Sequence, residues 1–264
     1  MSNQKMSINN FSMNFFSLKG KVAIITGGNS GLGQGFALAL AKAGADIFAV
    51  SIANDNDETK NMIEAEGVKY HLMITDITEE GVCKKIAEEC INTYGKIDIL
   101  MNNAGICINE PDVTKFTRIQ WDKMISINLT AAFELSHEVA KYMIPQNSGK
   151  IINTCSLFSY LGGQWSPAYA ASKHGLAGFT KAYCDELAQF NIQVNGIAPG
   201  YFATAVTTAT RANPETNQRI LDHIPANRWG NISDLMGTVV FLASEASNYV
   251  NGTLINVDGG YLVR

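Results

Sequence analysis

The chain has 264 residues, 46% of them hydrophobic, and a formal net charge of −4. It can bury a substantial core in one large domain, and its scattered lysines and arginines argue against the basic face of a nucleic-acid-binding protein. Its five cysteines are odd in number and form no CxxC pair. They therefore argue against a disulfide framework or a structural metal site.

The chain begins with a polar segment, MSNQKMSINNFSMNFFSLKG, that lacks a continuous apolar core. We therefore expect residues 1–17 to be a polar leader rather than a signal peptide, and residues 18–264 to be the domain. No run of about 18 apolar residues occurs, so no membrane partner is expected. These features, with the cysteine pattern, predict a cytoplasmic protein.

Short apolar runs alternate with longer helical patterns along the domain. The runs are nearly continuous, which is typical of strands buried on both faces of a sheet. Strands are predicted at 21–27, 45–52, 69–77, 97–105, 149–156, 192–200 and 254–260. Helices are predicted at about 32–43, 56–66, 79–94, 117–143, 168–190 and 233–245. This alternation predicts an α/β fold: a single-domain, doubly wound, Rossmann-like parallel sheet of about seven strands with helices on both faces.

The first predicted strand leads into a glycine-rich turn, TGGNSGLGQG at 26–35. Gly27, Gly31 and Gly33 follow the pattern TGxxxGxG, which allows a pyrophosphate to approach the N-terminus of the next helix. Glycines also end strands in general, but this position in a βαβ unit favours dinucleotide binding. Asn29, Ser30 and Leu32 are the other predicted cofactor contacts in this turn.

The second predicted strand ends at Ser51, where NAD-binding proteins usually carry an acidic residue for the ribose hydroxyls. The alternative cofactor, NADP, needs cations for its 2′-phosphate, and neither this strand end nor the glycine turn offers any. We therefore predict NAD by elimination, with NADP less favoured. Asp55 is a possible substitute ligand for the ribose.

Two further strand ends carry predicted cofactor residues. Asp76, beside Ile77, can accept a hydrogen bond from the adenine amino group, cap the following helix, or do both. The fourth strand ends in MNNAG at 101–105. Its Asn103, Ala104 and Gly105 either brace the backbone beside the cofactor or form a plain turn.

A tyrosine and a lysine, Tyr169 and Lys173, stand four residues apart and share a helix face. The pair alone is ordinary helix surface, but Ser156 stands 13 residues before the tyrosine and Asn128 lies in the fourth predicted helix. Together with TGxxxGxG and NNAG, this ordered set resembles the short-chain dehydrogenase/reductase family over about residues 18–264.

The resemblance implies a role for each residue of this set. Tyr169 is expected to exchange a proton with the substrate oxygen, and Ser156 to donate a hydrogen bond to that oxygen. A free phenol has a pKa near 10, so Lys173 and the cationic nicotinamide are expected to favour the phenolate. Lys173 would also bind the nicotinamide ribose, while Asn128 would hold a water that links Lys173 to solvent.

The resemblance extends to the cofactor turn and to assembly. Pro199 and Gly200 match the turn beside the nicotinamide, and Thr204 matches the contact to its carboxamide. A homotetramer is implied, with helices 117–143 and 168–190 in one interface. A non-catalytic dinucleotide sensor would be expected to lose the tyrosine or the lysine, and this chain keeps both.

Residues 201–232 are too long for an ordinary connection and are expected to form a substrate lid. The C-terminal third resembles the sugar-acid branch of the family, the 2-dehydro-3-deoxy-D-gluconate 5-dehydrogenases, also known as 2-deoxy-D-gluconate 3-dehydrogenases. A sugar-acid carboxylate calls for a cation. The lid offers Arg211, Arg219 and Arg228, of which Arg211 is preferred and Arg228 can instead be structural.

The segment before Tyr169 places Gln164 and Trp165 near the expected substrate site. Trp165 could stack on a sugar face or fill a subunit contact. Gluconate 5-dehydrogenase and 3-oxoacyl-thioester reductase remain alternatives. The second is disfavoured because an acidic carrier protein requires a basic surface near the cleft, and no basic cluster is visible.

Overall fold

The computed structural model describes residues 12–264, and a parallel β-sheet forms the centre of that part of the chain. Its seven strands are β1 (Val22–Thr26), β2 (Asp46–Ser51), β3 (Tyr70–Ile74), β4 (Ile99–Asn102), β5 (Gly149–Thr154), β6 (Ile192–Pro199) and β7 (Leu254–Val257). Their order across the sheet is β3-β2-β1-β4-β5-β6-β7. The predicted α/β Rossmann-like sheet is confirmed. Every strand ends before its predicted run does, because the last residues of each run leave the sheet to form loops.

Nine α-helices lie within residues 12–264. They are α1 (Gly31–Lys42), α2 (Glu58–Glu64), α3 (Val82–Tyr94), α4 (Arg118–Ile125), α5 (Ala131–Gln146), α6 (Pro167–Leu187), α7 (Thr208–Ala212), α8 (Pro214–His223) and α9 (Ser233–Ala243). None of these helices is long and apolar enough to cross a bilayer. Most of the predicted leader, residues 1–11, lies outside the described residues, and its end forms a short 3₁₀ helix at Met13–Phe16.

The long helix predicted over 117–143 is divided into α4 and α5 by a π-helical turn at Ser126–Thr130. Thr117 is the N-cap of α4 and forms a capping box with Gln120. The Thr117 hydroxyl accepts a hydrogen bond from the Gln120 backbone N–H at 3.2 Å, and the Thr117 backbone N–H donates to the Gln120 side-chain oxygen at 2.7 Å. A π-turn widens the helix locally and is frequent at functional sites. Asn128 lies within this one.

Alternate side chains of the strands pack on opposite faces of the sheet. In β1, Ala23 and Ile25 belong to the apolar cluster that includes α1 and α9. Their neighbours Val22 and Ile24 belong to the cluster on the other face, with α3 and α5. This burial on both faces explains why the strands read as continuous apolar runs.

The order of the strands reverses between β1 and β4, which are direct neighbours paired from Ala23–Ile99 to Ile25–Met101. In a doubly wound sheet the connections leave these two strands in opposite directions and open a crevice at their carboxyl ends. The glycine turn follows β1, and NNAG ends and follows β4. The fold therefore places both motifs at this crevice.

Candidate active site

The glycine turn after β1 forms a cradle beside the N-terminus of α1. Gly27 and Gly31 have positive φ angles of 65° and 51°. A Cβ added to Gly33 would lie 2.0 Å from the Gly27 carbonyl oxygen, so this close approach of backbones requires glycine. Ser30, the N-cap, makes no side-chain capping bond, which leaves the first-turn amides of α1 available to an anion. These features fit a dinucleotide pyrophosphate.

Asn103 joins the ends of three neighbouring strands. Its amide donates to the Thr26 hydroxyl at 2.9 Å, and its side chain donates to the Thr26 carbonyl at 3.0 Å. Its side-chain oxygen accepts from the Thr154 hydroxyl at 3.4 Å. The Ala104 amide donates to the same Thr26 hydroxyl at 2.9 Å. The side chain and backbone of NNAG therefore brace the ends of the neighbouring strands, which was one of the two interpretations of this motif.

Ser51, at the end of β2, is tied to the glycine turn. Its hydroxyl donates to the Asn29 side-chain oxygen at 2.5 Å, and the Asn29 amide group donates to the Ala53 carbonyl at 2.7 Å. The carboxylate of Asp55 accepts from the amide of Thr59 at 2.9 Å, so it caps the start of α2. Hydrogen bonds thus connect the end of β2 to the glycine turn. Ser51 occupies the position at which NAD-binding proteins usually carry an acidic residue.

Asp76 lies two residues beyond the end of β3. Its carboxylate accepts from the Thr78 amide at 2.9 Å and from the Thr78 hydroxyl at 2.7 Å. These hydrogen bonds lower the pKa of Asp76. The predicted helix cap is not formed, because α3 begins only at Val82 with Gly81 as its N-cap, and Asp76 instead holds the turn at Thr78 that precedes it. The adenine contact stays a prediction. Ile77 is buried against the α3 face of the sheet.

Tyr169 and Lys173 lie one turn apart on α6, and the helix brings them together as the spacing predicts. The Lys173 Nζ atom is 5.6 Å from the centroid of the Tyr169 ring. It donates to the Thr154 carbonyl at 2.6 Å, and only 3% of the Lys173 residue surface is exposed. Tyr169 is half-buried and meets Phe158 edge to face, with ring centroids 5.8 Å apart.

Burial penalises the charged forms of both groups. It raises the pKa of Tyr169 to about 12, although a hydrogen bond with the Ser156 side chain acts to lower it. It lowers the pKa of Lys173 to about 8. Burial is the largest cause of the shift, and it favours the neutral phenol of Tyr169 near pH 7. The predicted effect of Lys173 and the nicotinamide on the phenolate stays a prediction.

Ser156 lies just beyond β5 and begins a short 3₁₀ helix. Its hydroxyl accepts from the Phe158 amide at 3.2 Å and forms the hydrogen bond that affects the pKa of Tyr169. The backbone carbonyl of Lys173 accepts from the Ser159 hydroxyl at 2.9 Å, which ties this turn to α6. The serine and tyrosine predicted to share the substrate oxygen are therefore neighbours.

Asn128 is almost fully buried in the π-turn and faces the loop that follows NNAG. Its side-chain oxygen accepts from the Ile106 amide at 2.8 Å, and its amide group donates to the Ile106 carbonyl at 2.9 Å. The same amide group donates to the Ser172 hydroxyl at 3.2 Å. The predicted water relay through Asn128 stays a prediction.

One cavity of about 420 Å³ is lined by residues of the glycine turn, of NNAG, of α6 and of the segment after β6. The lining contains eleven of the residues predicted from the sequence: Gly27, Ser30, Gly31, Leu32, Asn103, Ala104, Gly105, Tyr169, Lys173, Gly200 and Thr204. Sequence reasoning missed others, namely Ile106, Cys107, Thr154, Phe202, Ala205, Val206 and Thr207. Ile106 and Ala205 directly follow predicted residues, and Cys107, Val206 and Thr207 continue the same two segments. This adjacency is the signal that could have found them. Asn29, Gly33, Ser51, Asp76, Ile77, Asn128, Ser156 and Pro199 lie outside the lining set, where several support it through the contacts described above.

The predicted substrate residues are also placed outside the lining of this cavity. Arg211 lies in α7, where its guanidinium donates to the Thr204 carbonyl at 3.0 Å. Gln164 and Trp165 are exposed in the loop before α6. Trp165 has a φ angle of 70°, and its carbonyl accepts from the Glu110 amide at 2.8 Å. Substrate contact by these three residues stays a prediction.

Comparisons with known proteins agree with the geometry. Residues 21–215 match the model of the short chain dehydrogenase family. An uncharacterised oxidoreductase of Escherichia coli (strain K12), YgcW, is 71% identical over 98% of both chains. A 2-dehydro-3-deoxy-D-gluconate 5-dehydrogenase of the same organism is 46% identical over 94% of this chain and 98% of its own.

A solved structure is similar over nearly the whole chain. It is a putative 2-deoxy-D-gluconate 3-dehydrogenase from Agrobacterium tumefaciens with bound NADP, 40% identical, with a TM-score of 0.88 over 95% of this chain and 100% of its own. The site geometry and these matches lead to one conclusion. The chain belongs to the short chain dehydrogenase family and is an NAD(P)-dependent oxidoreductase that acts on CH–OH groups.

Proposed function

We propose that the protein transfers a hydride between NAD(H) and a hydroxyl or keto carbon of a sugar acid. The leading substrates are 2-dehydro-3-deoxy-D-gluconate at its 5-position and 2-deoxy-D-gluconate at its 3-position. The observation that carries the chemistry is one cavity lined both by Tyr169 and Lys173 and by the glycine cradle, with the Ser156 side chain hydrogen-bonded to Tyr169. The substrate class is supported by the names of the relatives.

The chain's own residues have distinct roles in this reaction. Bound nicotinamide supplies the hydride acceptor or donor. The first turn of α1 would hold the pyrophosphate, Lys173 the ribose, and Thr204 the carboxamide. Tyr169 gives its proton to the substrate oxygen in reduction and takes it back in oxidation. Ser156 donates a hydrogen bond to that oxygen and stabilises its developing charge.

We propose NAD rather than NADP because of the charges at the end of β2. The segment SIANDND at 51–57 contains two aspartates and no lysine or arginine. A 2′-phosphate placed there would meet like charge without a cation to neutralise it. Measurement of kcat/KM with both cofactors tests this, and a preference for NADP, the cofactor bound to the relative from Agrobacterium, would contradict it.

The substrate is tested with a panel of hexonates, neutral polyols and 3-oxoacyl thioesters, each assayed in both directions. We expect the highest kcat/KM with a deoxy-hexonate or its keto form. Preference for 5-keto-gluconate would indicate the gluconate 5-dehydrogenase alternative. Preference for an acyl thioester, or an absence of turnover with any member, would overturn the proposal.

We further propose a single domain over residues 18–264, with 201–232 as its lid and the homotetramer as its working form. Phe133 is 45% exposed on α5 and lies about 6.0 Å, ring centroid to centroid, from Phe179 on α6. This aromatic surface supports an interface built from the two helices. Sedimentation at micromolar concentration tests the homotetramer, and a monomer would contradict it.

The described cysteines are all free thiols, which supports our proposal of a cytoplasmic location, where the environment is reducing.

A further inference from the structure

The first turn of the lid forms part of the wall of the catalytic cavity, the cavity that is lined by the glycine cradle and α6. The base of the lid is closed by a parallel bridge between Phe202 and Gly230. The Gly230 amide donates to the Tyr201 carbonyl, and the Gly230 carbonyl accepts from the Ala203 amide, both at 2.8 Å. Residues 204–207 come next, and all four line the catalytic cavity. This turn is therefore in place to contact whatever the cavity binds.

The hydroxyl of Thr207 holds this first turn together. It donates to the Phe202 carbonyl at 2.7 Å, and it accepts from the Thr204 amide at 3.0 Å and from the Arg211 Nε atom at 3.3 Å. A hydroxyl has one donor and two acceptor lone pairs, so these three contacts satisfy it within the lid. Thr207 therefore serves the turn itself, although it lines the cavity.

Arg211 attaches the next helix, α7, to the same turn. Its Nη2 atom donates to the Thr204 carbonyl at 3.0 Å and to the Thr208 hydroxyl at 3.3 Å, while its Nε atom donates to the Thr207 hydroxyl. The Thr204 carbonyl is thus held by Arg211, and the Thr204 amide by Thr207. Two side chains that lie further along the chain therefore restrain the backbone of one cavity residue.

The other two lid arginines lack hydrogen bonds to this turn in the described part of the chain. Arg228 forms a two-point ion pair with Asp234, with N–O distances of 2.7 and 3.0 Å. Arg219 is exposed on α8, and across residues 12–264 its guanidinium takes part in no hydrogen bond or ion pair. Arg211 is therefore the lid arginine whose hydrogen bonds reach residues of the catalytic cavity.

We propose that Arg211 is a positioning residue for the cofactor, which acts through Thr204 and Thr207 to hold the lid against the nicotinamide. The inference rests on the proposed function, from which it takes the contact between Thr204 and the carboxamide. That contact needs Thr204 to be fixed in position, and the two side chains supply the restraint. Because Nε and Nη2 of Arg211 are used within the lid, less of the planar guanidinium remains for two-point binding of a substrate carboxylate.

The test compares NADH with ADP-ribose, which has the same adenosine, pyrophosphate and terminal ribose but lacks the nicotinamide. Calorimetry on the full-length protein, without substrate, measures the Kd for each ligand. We expect Arg211→Ala to raise the Kd for NADH by roughly 10-fold, the worth of one charge-assisted hydrogen bond, and to leave the Kd for ADP-ribose near the wild-type value. Arg211→Lys should recover part of the NADH affinity, because its ammonium can still donate to the Thr204 carbonyl.

Thr207→Val tests the other half of the restraint. Valine keeps the branched shape and removes the hydroxyl, so we expect the same selective loss of NADH affinity. Combined with Arg211→Ala, it should cost less affinity than the product of the two single effects, because both residues hold one turn. Arg219→Ala, at the exposed arginine of the same lid, is the matched control and should leave both Kd values unchanged.

Three outcomes would overturn the inference. Equal weakening of NADH and ADP-ribose in Arg211→Ala would mean that Arg211 only stabilises the fold. Unchanged Kd values, with an increase in KM confined to hexonates, would assign Arg211 to the substrate carboxylate. If the wild type binds NADH no more tightly than ADP-ribose, the proposed contact between Thr204 and the carboxamide fails, and the inference fails with it. The wild-type ratio therefore separates failure of the proposed function from failure of the inference alone.

Discussion

The side chain of Asn128 binds both backbone polar groups of Ile106. It accepts from the Ile106 amide at 2.8 Å and donates to the Ile106 carbonyl at 2.9 Å. Ile106 lines the catalytic cavity, and Ser172, the next partner of Asn128, precedes Lys173 in α6. The side-chain amide of one buried residue in a π-turn thus connects a wall of the cavity to the helix that carries Lys173.

Replacing Asn128 with alanine should therefore reduce kcat and stability together. The Ile106 groups and the Ser172 hydroxyl lose a partner, at a cost of about 1–3 kcal/mol for a buried unsatisfied group. We expect a fall in kcat of at least 10-fold, with a lower Tm, measured by steady-state kinetics and thermal unfolding. Thr130→Ala, an exposed position in the same π-turn, is the control and should leave both unchanged. Unchanged kcat in Asn128→Ala would show that the contacts only stabilise the fold.

Tyr169→Phe removes the hydroxyl that we propose exchanges the proton, and keeps the ring that packs on Phe158. We expect a loss in kcat of roughly 10²–10⁴-fold, the usual contribution of general acid–base catalysis, with little change in the Kd for NADH. Kinetics and fluorescence titration of NADH measure the two effects. Tyr249→Phe, at a fully exposed tyrosine, is the matched control. Turnover that survives in Tyr169→Phe would remove the tyrosine from the mechanism.

The two catalytic directions should respond differently to pH. Burial raises the pKa of Tyr169 to about 12, so its neutral form, the proton donor, predominates throughout the neutral range. The fraction of Tyr169 present as phenolate, the form needed for oxidation, rises with pH at every pH below this pKa. We therefore expect kcat/KM for oxidation to rise between pH 7 and about pH 10 and kcat/KM for reduction not to rise. An oxidation profile that is flat over this range would mean that bound cofactor and Lys173 lower the pKa of Tyr169 well below 7.

The elements that sequence reasoning predicted best are those with local signals. The strands are buried on both faces and read as continuous apolar runs, and the helix spacing alone brought Tyr169 and Lys173 together. The π-turn around Asn128 has no such signal, because its residues suit an ordinary helix. The pKa of Tyr169 could not be predicted either, since burial depends on segments distant in sequence, such as the one that carries Ile106 and Cys107 in the same cavity.

The choice among the lid arginines shows the same limit. Arg211 and Arg219 are both arginines in helical segments of the lid, and nothing in their local sequence separates them. Only the folded lid reveals that the guanidinium of Arg211 donates to the Thr204 carbonyl, while within residues 12–264 that of Arg219, exposed on α8, takes part in no hydrogen bond or ion pair. Local pattern predicts which residue types a lid contains, and tertiary contacts decide which of them are available.

Cofactor preference should respond to one substitution beyond the end of β2. Ile52 is 77% exposed, so replacing it with arginine removes little packing and supplies the cation that a 2′-phosphate requires. We expect Ile52→Arg to raise kcat/KM for NADP by about 10-fold or more, the worth of one charge-assisted contact, and to change kcat/KM for NAD little. Val113→Arg, at a position 73% exposed in the short 3₁₀ helix Val113–Lys115, controls for added charge. Equal responses to both cofactors would place the ribose away from Ile52.

The glycine cradle should be intolerant of a single methyl group at Gly33. A Cβ there would lie 2.0 Å from the Gly27 carbonyl oxygen and 2.5 Å from the Asn103 side-chain nitrogen, and the first of these partners is backbone. Relief requires the turn itself to move, at a cost of about 1–3 kcal/mol for overpacking. We expect Gly33→Ala to lower Tm and to weaken NADH binding, both measured on the same preparation.

Gly178→Ala is the matched control for this substitution. Gly178 lies within α6, and a Cβ added to it would meet no atom within 4 Å. Alanine is favoured over glycine in a helix by about 1 kcal/mol, so this variant should keep or raise Tm and bind NADH normally. If Gly33→Ala matches Gly178→Ala in both measurements, the close approach of Gly33 to Gly27 does not shape the cofactor site. A selective loss of NADH binding would instead assign the turn that joins β1 to α1 to the pyrophosphate.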